Sequence, residues 1–361
     1  MSDTLPKLRK KIDDLDEQIQ SLISQRAQVA VEVAEAKTAS GNSAPSFYRA
    51  EREAEVLRKV MERNQGPLSD QEIARLFREI MSACLALEQV MSIAYLGPEG
   101  TYTQTAALKH FGHSVATLPQ ASIADVFHEV ESGNMAYGVV PIENSTEGMV
   151  THTLDEFMNS SLHICGEVEL RIHHCLLSQT DDISQIHKVY SHRQSLAQCH
   201  RWLDANLATV ERIDVSSNAE AARRAAAEKG TAAIAGDMAA EIYALRTLAK
   251  NIEDETNNTT RFLVIGKRAT PACGKDKTSI LVYADNKPGS LHRILAPLAN
   301  NNVSMTRIES RPSRQGVWNY VFFIDIEGHQ TDVTVTKALS ELRQEANMVK
   351  VLGSYPRTVI L

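Results

Sequence analysis

Between residues 4 and 39 apolar side chains recur at Leu8, Ile12, Leu15, Ile19 and Leu22, and again at Val29 and Val33. The spacing alternates four and three, the period of a coiled-coil seam. It predicts a single helix roughly 54 Å long. The next seam position after Leu22 is Arg26, and Lys37 lies eleven residues on, about 20° further round the helix. Two cations therefore leave a face that otherwise packs against protein. An unpaired buried charge costs several kcal/mol, so an anion is expected to meet them. A second helix is expected over 47–63. A third follows Ser69, which with Glu72 makes a capping box; Ile73, Leu76, Phe77, Ile80, Met81 and Cys84 share its apolar face. Three helices with so long a member cannot cover its seam alone, and an intertwined dimer is expected.

After residue 91 the pattern changes. Short apolar runs at 92–96, 137–142, 188–190, 231–235 and 261–265 alternate with helical stretches at 123–131, 195–206 and 218–229. This is an α/β pattern with a mostly parallel sheet, whose ligands bind at the carboxyl ends of strands. A polar linker, 269–277, leads to a third pattern: strand 278–283, helix 290–301, strands 304–310 and 317–326, helix 332–346, strand 348–354. That βαββαβ order is ferredoxin-like. Three domains are expected, over 1–91, 92–268 and 278–361.

The chain has 361 residues, more than one core accommodates. A net charge of −7 argues against a nucleic-acid or membrane partner, so any anionic ligand must be held by local cations. Five cysteines without C-x-x-C spacing read as reduced thiols of a cytoplasmic protein. The charged N-terminus is neither a signal peptide nor a membrane span. No metal-ligand spacing is present, and no cofactor is implied.

In the helical block the second helix carries Arg52 and Glu53, and Glu88 continues the Ile80 and Cys84 stripe of the third. Arg9 projects on another side of the first helix, towards a partner subunit. One reading is a buried salt-bridge network of Arg26, Arg52 and Glu53. The other is a pocket of cations with two carboxyls and no nucleophile. Leu8-Arg9-Lys10-Lys11-Ile12, the pair Arg26 and Lys37, and Arg52-Glu53 resemble the all-α chorismate mutase domain. The resemblance implies a pericyclic rearrangement of chorismate to prephenate, driven by conformational restriction and charge stabilisation. It implies that Arg26 and the partner subunit's Arg9 hold carboxylates and that Lys37 reaches the ether oxygen. Glu53 would take the ring hydroxyl, Arg52 would support the site, and Glu88 would be a second ether contact. Glu88 donates a hydrogen bond only when protonated, so mutase activity is expected to fall as Glu88 loses its proton. Arg49 stands where some members have an acidic residue, which leaves the hydroxyl to Glu53.

In the α/β block Gly97 to Thr103 is a Gly-rich strand-to-helix loop suited to an anion, and it lacks a dinucleotide fingerprint. No G-x-S-x-G elbow is present. That loop, Val140-Pro-Ile-Glu-Asn-Ser145, Tyr190-Ser-His-Arg-Gln194 and Thr259-Thr-Arg-Phe262 resemble, in this order, the prephenate dehydratase domain. The resemblance implies a two-lobed fold like periplasmic binding proteins, with the site in the cleft. Prephenate would lose its ring hydroxyl and CO₂ to give phenylpyruvate. Thr260 is the first candidate for assisting the hydroxyl, Arg261 for a carboxylate, and Glu143, Asn144, Ser191 and Gln194 for orienting the substrate. Arg193 stands where the family usually has Pro.

In the last block Asn286-Lys-Pro-Gly-Ser-Leu291 and Glu309-Ser-Arg-Pro312 resemble the ligand motifs of an ACT domain of phenylalanine-regulated enzymes. The resemblance implies that Asn286, Pro288, Gly289, Ser290, Leu291, Glu309, Ser310, Arg311 and Pro312 hold phenylalanine across a subunit interface. Ser290 and His292 add polarity to the usual run.

Together the blocks resemble the bifunctional chorismate mutase–prephenate dehydratases, as a homodimer or higher oligomer inhibited by phenylalanine. The alternatives are a non-catalytic sensor built on the two-lobed domain, and a dehydratase that prefers arogenate.

Overall fold

The computed structural model describes residues 4–39, 48–285, 287–312 and 320–358. The seam predicted from its period is a single helix, α1 (Thr4–Ala39), and no residue of it is buried. Leu8, Ile12, Leu15, Ile19 and Leu22 are each between 46% and 64% exposed. α2 (Ala50–Glu62) and α3 (Asp70–Glu88) pack on each other through Leu57 and Ala74, both fully buried. The Ser69 hydroxyl accepts from the Glu72 amide at 3.2 Å, while the Glu72 carboxylate turns to Arg75. The capping box is therefore half made.

The chain then winds β1 (Ser92–Leu96), α4 (Tyr102–Phe111), β2 (Ala116–Gln120), α5 (Ile123–Ser132), β3 (Tyr137–Asn144), β4 (Gly148–Met149), α6 (Thr151–Asn159) and β5 (His163–Arg171). It crosses into a second sheet with β6 (Cys175–Ser178), β7 (Lys188–His192), α7 (Arg193–Gln198), α8 (His200–Asn206), β8 (Glu211–Val215), α9 (Asn218–Ala227), β9 (Thr231–Ala235), α10 (Asp237–Ile242) and β10 (Arg246–Ala249). It returns through β11 (Thr259–Gly266) to the first sheet. The strand orders are β2-β1-β3-β11-β5 and β10-β6-β9-β7-β8.

The expected mostly parallel sheet is corrected here. In each sheet the pairings on one side are parallel, β2-β1-β3 and β9-β7-β8, and those on the other antiparallel. In the first sheet the cause is the chain's return, β11 re-entering between β3 and β5 antiparallel to both; in the second, β6 and β10 add antiparallel pairings beside β9. The helix expected over 195–206 is two helices meeting at Cys199.

The last block is β12 (Asp276–Ala284), α11 (Ser290–Asn300), β13 (Met305–Pro312), β14 (Tyr320–Glu327), α12 (Val333–Glu345) and β15 (Met348–Pro356), an antiparallel sheet ordered β13-β14-β12-β15. Its helices cover one face, with Ile280, Val282, Ile294, Ile324, Leu339 and Leu342 in the core. The other face lies on the first α/β sheet, where Leu281, Phe323, Leu352 and Tyr355 join Ile142, Ile164 and Leu263. Among the described residues no helix is long and apolar enough to cross a membrane.

Candidate active sites

The ends of β1, β3 and β11 and the crossings between the two α/β sheets surround a cleft of about 490 Å³. Thr101, Tyr102, Asn144, His174, Gln194, Gln198, Asn218, Asn258 and Thr260 line it. Gly100 begins the loop into α4 at φ +87°, in the left-handed region glycine tolerates best. Its amide donates to the Gln104 side chain at 2.7 Å.

Hydrogen-bond directions across the cleft floor follow from two backbone donors. The amides of Thr146 and Glu147 donate to Asn144 Oδ1, at 3.0 and 3.1 Å. That fixes Asn144 Nδ2 as the group facing Asn258 Oδ1 and Thr260 Oγ1, each at 2.8 Å. Asn258 Nδ2 then donates to Gln198 Oε1 at 3.2 Å. Gln198 Oε1 also lies 2.9 Å from His174 Nε2, so that nitrogen carries a proton. Burial lowers the His174 pKa despite its bond to Gln198, and the ring is neutral at ordinary pH. Its Nδ1 is then a lone pair, 2.9 Å from the Tyr102 hydroxyl. Two donors remain. Thr260 Oγ1 accepts from Asn144, which frees its own proton, and Gln198 Nε2 is buried without a partner. Among the described residues the cleft lining includes no lysine or arginine.

The cysteines beside the cleft supply no nucleophile. Burial pushes the Cys175 thiol up to about 12 and raises the Cys199 thiol as well. All five cysteines are free, four of them buried. Among the described residues no cluster of His, Cys, Asp and Glu is arranged to hold a metal ion.

Strand alternation corrects two assignments. Thr260 and Phe262 face the cleft, so Arg261 between them faces away and is 6% exposed. It meets Glu167 and Asp325, each at 2.8 Å, and donates to the Tyr355 hydroxyl at 3.1 Å. Burial works against its charge, but Tyr355, Asp325 and Glu167 outweigh this and hold its pKa above the ordinary value. Arg261 is therefore no partner for a substrate carboxylate in the cleft. Glu143, opposite Arg261 in register, likewise turns to the last domain and pairs with Arg307.

Ser191 is fully buried; its hydroxyl lies 3.0 Å from both Asn218 Oδ1 and the Ile234 carbonyl. It reaches the cleft only through Asn218, which donates to Ser195 Oγ at 2.9 Å. Gln194 lines the cleft directly. At the mouth a wider hollow, lined also by Gln194, adds Arg193 and Arg224.

Of the mutase candidates, one chain brings together only Lys37 and Glu88, 3.5 Å apart. Arg9 and Arg26 are exposed on α1. Arg52 pairs on the surface with Glu55 at 2.7 Å. Glu53 does not face Lys37. It takes Arg78 at 3.1 Å, and Arg78 also donates to the Lys109 carbonyl at 2.8 Å. Burial raises the Glu53 pKa, with Arg78 opposing. The buried stripe of α2 is Ala54, Leu57 and Val60, which places Glu53 against the α/β domain. The alternative network of Arg26, Arg52 and Glu53 does not form: each has a different environment.

Of the proposed phenylalanine residues, Asn286 lies outside the described residues. Pro288 and Gly289 are exposed, Gly289 at φ +79°. Ser290 Oγ accepts from Arg293 at 3.1 Å, and Leu291 is exposed. On β13, Ser310 and Pro312 are exposed, while Arg311 donates to Asp155 at 2.6 Å and to the Thr151 carbonyl at 2.7 Å. Glu309 borders a hollow between β13 and the first α/β sheet.

The sequence reading missed His174, Gln198 and Asn218. No motif marks them, and their roles show only in partners far along the chain.

Family profiles match in the order of the blocks: chorismate mutase type II over residues 8–89, prephenate dehydratase over 93–270, ACT domain over 278–344. The chain is 58% identical to a bifunctional chorismate mutase/prephenate dehydratase of Stutzerimonas stutzeri and 56% identical to that of Pseudomonas aeruginosa, each over 99% of both chains. Among solved structures, the prephenate dehydratase of Arthrobacter aurescens in complex with L-Phe superposes with a TM-score of 0.68 at 32% identity. That match covers 75% of this chain and 93% of the other. A quorum-quenching acylase superposes at 0.69 with 29% identity, over 74% and 98%.

Proposed function

The chain belongs to the bifunctional chorismate mutase/prephenate dehydratase family, and from that premise we propose how its residues divide the work. It converts chorismate to prephenate and prephenate to phenylpyruvate, in phenylalanine biosynthesis, under allosteric control by its ACT domain.

The dehydratase reaction belongs in the cleft. The observation that carries this is the direction of the Asn144–Thr260 hydrogen bond. Thr260 accepts from the amide, so its O–H is available to the departing ring hydroxyl. As the ring carboxylate leaves as CO₂, its C–C electrons enter the ring and expel the hydroxyl, which takes up a proton and departs as water. A cation on the ring carboxylate would stabilise the ground state more than the transition state, and the described lining offers none. Gln198 Nε2 supplies a neutral donor instead. The side-chain carboxylate belongs at the mouth, near Arg193 and Arg224.

An acyl-transfer reading, raised by the acylase, finds no support at these hydroxyls. Thr260 and Ser195 each accept from an asparagine amide, which is no base to activate a nucleophile. A non-catalytic sensor is disfavoured by the two uncommitted donors.

The mutase site is read as shared between two chains. The exposed seam of α1 needs a second copy to cover it, and that copy's Arg9 would join Arg26, Lys37 and Glu88. We read the enzyme as a cytoplasmic homodimer with a two-lobed dehydratase domain, and with phenylalanine held by the 288–291 loop and β13.

Feeding chorismate and following prephenate and phenylpyruvate, with and without phenylalanine, tests the whole. Both products should appear, and phenylalanine should suppress the second. Prephenate accumulating without phenylpyruvate would sink the cleft assignment. Feeding arogenate in parallel settles the substrate preference.

A further inference from the structure

The catalytic strands β3 and β11 have two faces, and each cleft residue has a neighbour on the other. Thr260 looks into the cleft, while Arg261 reaches Asp325 of β14. Asn144 orients Thr260, while Glu143 pairs with Arg307 of β13. Further along, Asp155 of α6 accepts from Arg311, also on β13, and the same guanidinium donates to the Thr151 carbonyl. β13 thus grips the segment 143–155 at both ends, and Asn144 with its turn lies between. Arg307 and Arg311 alternate with Ser310 and share a face with Glu309. Glu309 and Arg307 both border the hollow behind β11, together with Arg261 and Asp325.

Apolar contact between two sheets tolerates sliding; short, charge-assisted hydrogen bonds, here one guanidinium nitrogen to one carboxylate oxygen, do not. A shift of β13 of a fraction of an ångström therefore moves Glu143 and Asp155 with it. The Asn144–Thr260 hydrogen bond, at 2.8 Å, weakens over the same range.

We propose that Arg307 and Arg311 are coupling residues rather than part of the catalytic machinery: through Glu143 and Asp155 they carry the phenylalanine signal from the ACT domain to the Asn144–Thr260 pair, whose resting geometry is set by the hydrogen bonds of the cleft itself. This rests on the reading of Asn144 and Thr260 as the catalytic pair. A ligand that binds β13 better in one position biases that element, and the coupling is reciprocal.

The test is the double variant Arg307→Gln with Asp155→Asn, in the full-length chain. Mutase activity of the same preparation reports folding. The expected result is phenylpyruvate formation without phenylalanine within about threefold of the parent, and calorimetric phenylalanine affinity within about threefold. The phenylalanine concentration for half-inhibition should rise about tenfold or more, in the usual range of allosteric coupling. Arg307→Lys alone, which keeps the charge opposite Glu143, should keep the parent response. A merely structural role would lower the basal rate and leave inhibition coupled. A rise below tenfold overturns the inference, and so does loss of phenylalanine binding itself. Asn144→Ala separates the premise: normal turnover there removes the catalytic reading. Collapsed turnover there, with the double variant still inhibited normally, removes only this inference.

Discussion

The role proposed for Thr260 rests on a proton count. Replacing Thr260 with valine keeps the shape and removes the hydroxyl that accepts from Asn144 Nδ2 at the cleft. Dehydratase kcat is expected to fall by ~10² or more, with mutase rate unchanged, in paired assays on one preparation. Near-normal phenylpyruvate formation would remove Thr260 from the reaction. Gln198→Glu should be more damaging than its size suggests, because it sets an acceptor and a negative charge where a donor awaits an anion. Prephenate KM is expected to rise about tenfold or more. The Thr259-Thr-Arg-Phe262 motif was legible in the sequence, but the side each residue faces was not. Parity along β11 is set by which sheet covers its back, and that sheet comes from residues past 276. Gln198 was illegible for a related reason: its partner Asn258 lies 60 residues away.

At the scale of elements, α1, α3 and the βαββαβ block read clearly, since each carries a regular apolar period, whether its face is buried in this chain, as in α3 and the last block, or exposed, as in α1. Strands β5 and β6 did not, because they join sheets whose order depends on the chain crossing twice. α4 has its own consequence. His110 Nε2 lies 3.1 Å from the Tyr48 hydroxyl, and the ring stacks edge-on against Phe111. Burial, with help from Arg78, pushes the His110 pKa down to about 3. The unfolded chain therefore binds a proton that the folded chain refuses, between an ordinary pKa near 6.5 and about 3. Stability is full above that window and is lost as pH falls through it. Between pH 7 and 5 the cost is about 1–2 kcal/mol, discounted because the ring keeps some exposure. His110→Gln, which cannot titrate, should show a smaller fall in urea midpoint over that interval; an equal fall would assign the acid sensitivity elsewhere.

At the scale of the molecule, the seam of α1 is the least satisfied surface. Burying a large aliphatic side chain is worth about 1.5–3 kcal/mol, so even partial coverage by a second chain is strongly favourable. Ile19→Glu is expected to abolish self-association in sedimentation and mutase activity with it, and to leave dehydratase turnover from prephenate largely intact. The cleft is built within one chain; the mutase pocket, on the reading proposed above, takes residues from two. Inheritance follows from that division. An Arg9→Ala chain and a Lys37→Ala chain are each inactive as mutases alone. Reassorted together they would form hybrids in which one pocket takes both its good halves, one from each parent, and the other takes both lesions. Random assortment predicts recovery of about a quarter of normal mutase activity from two dead proteins. Lesions in the cleft could not be rescued by any such mixing.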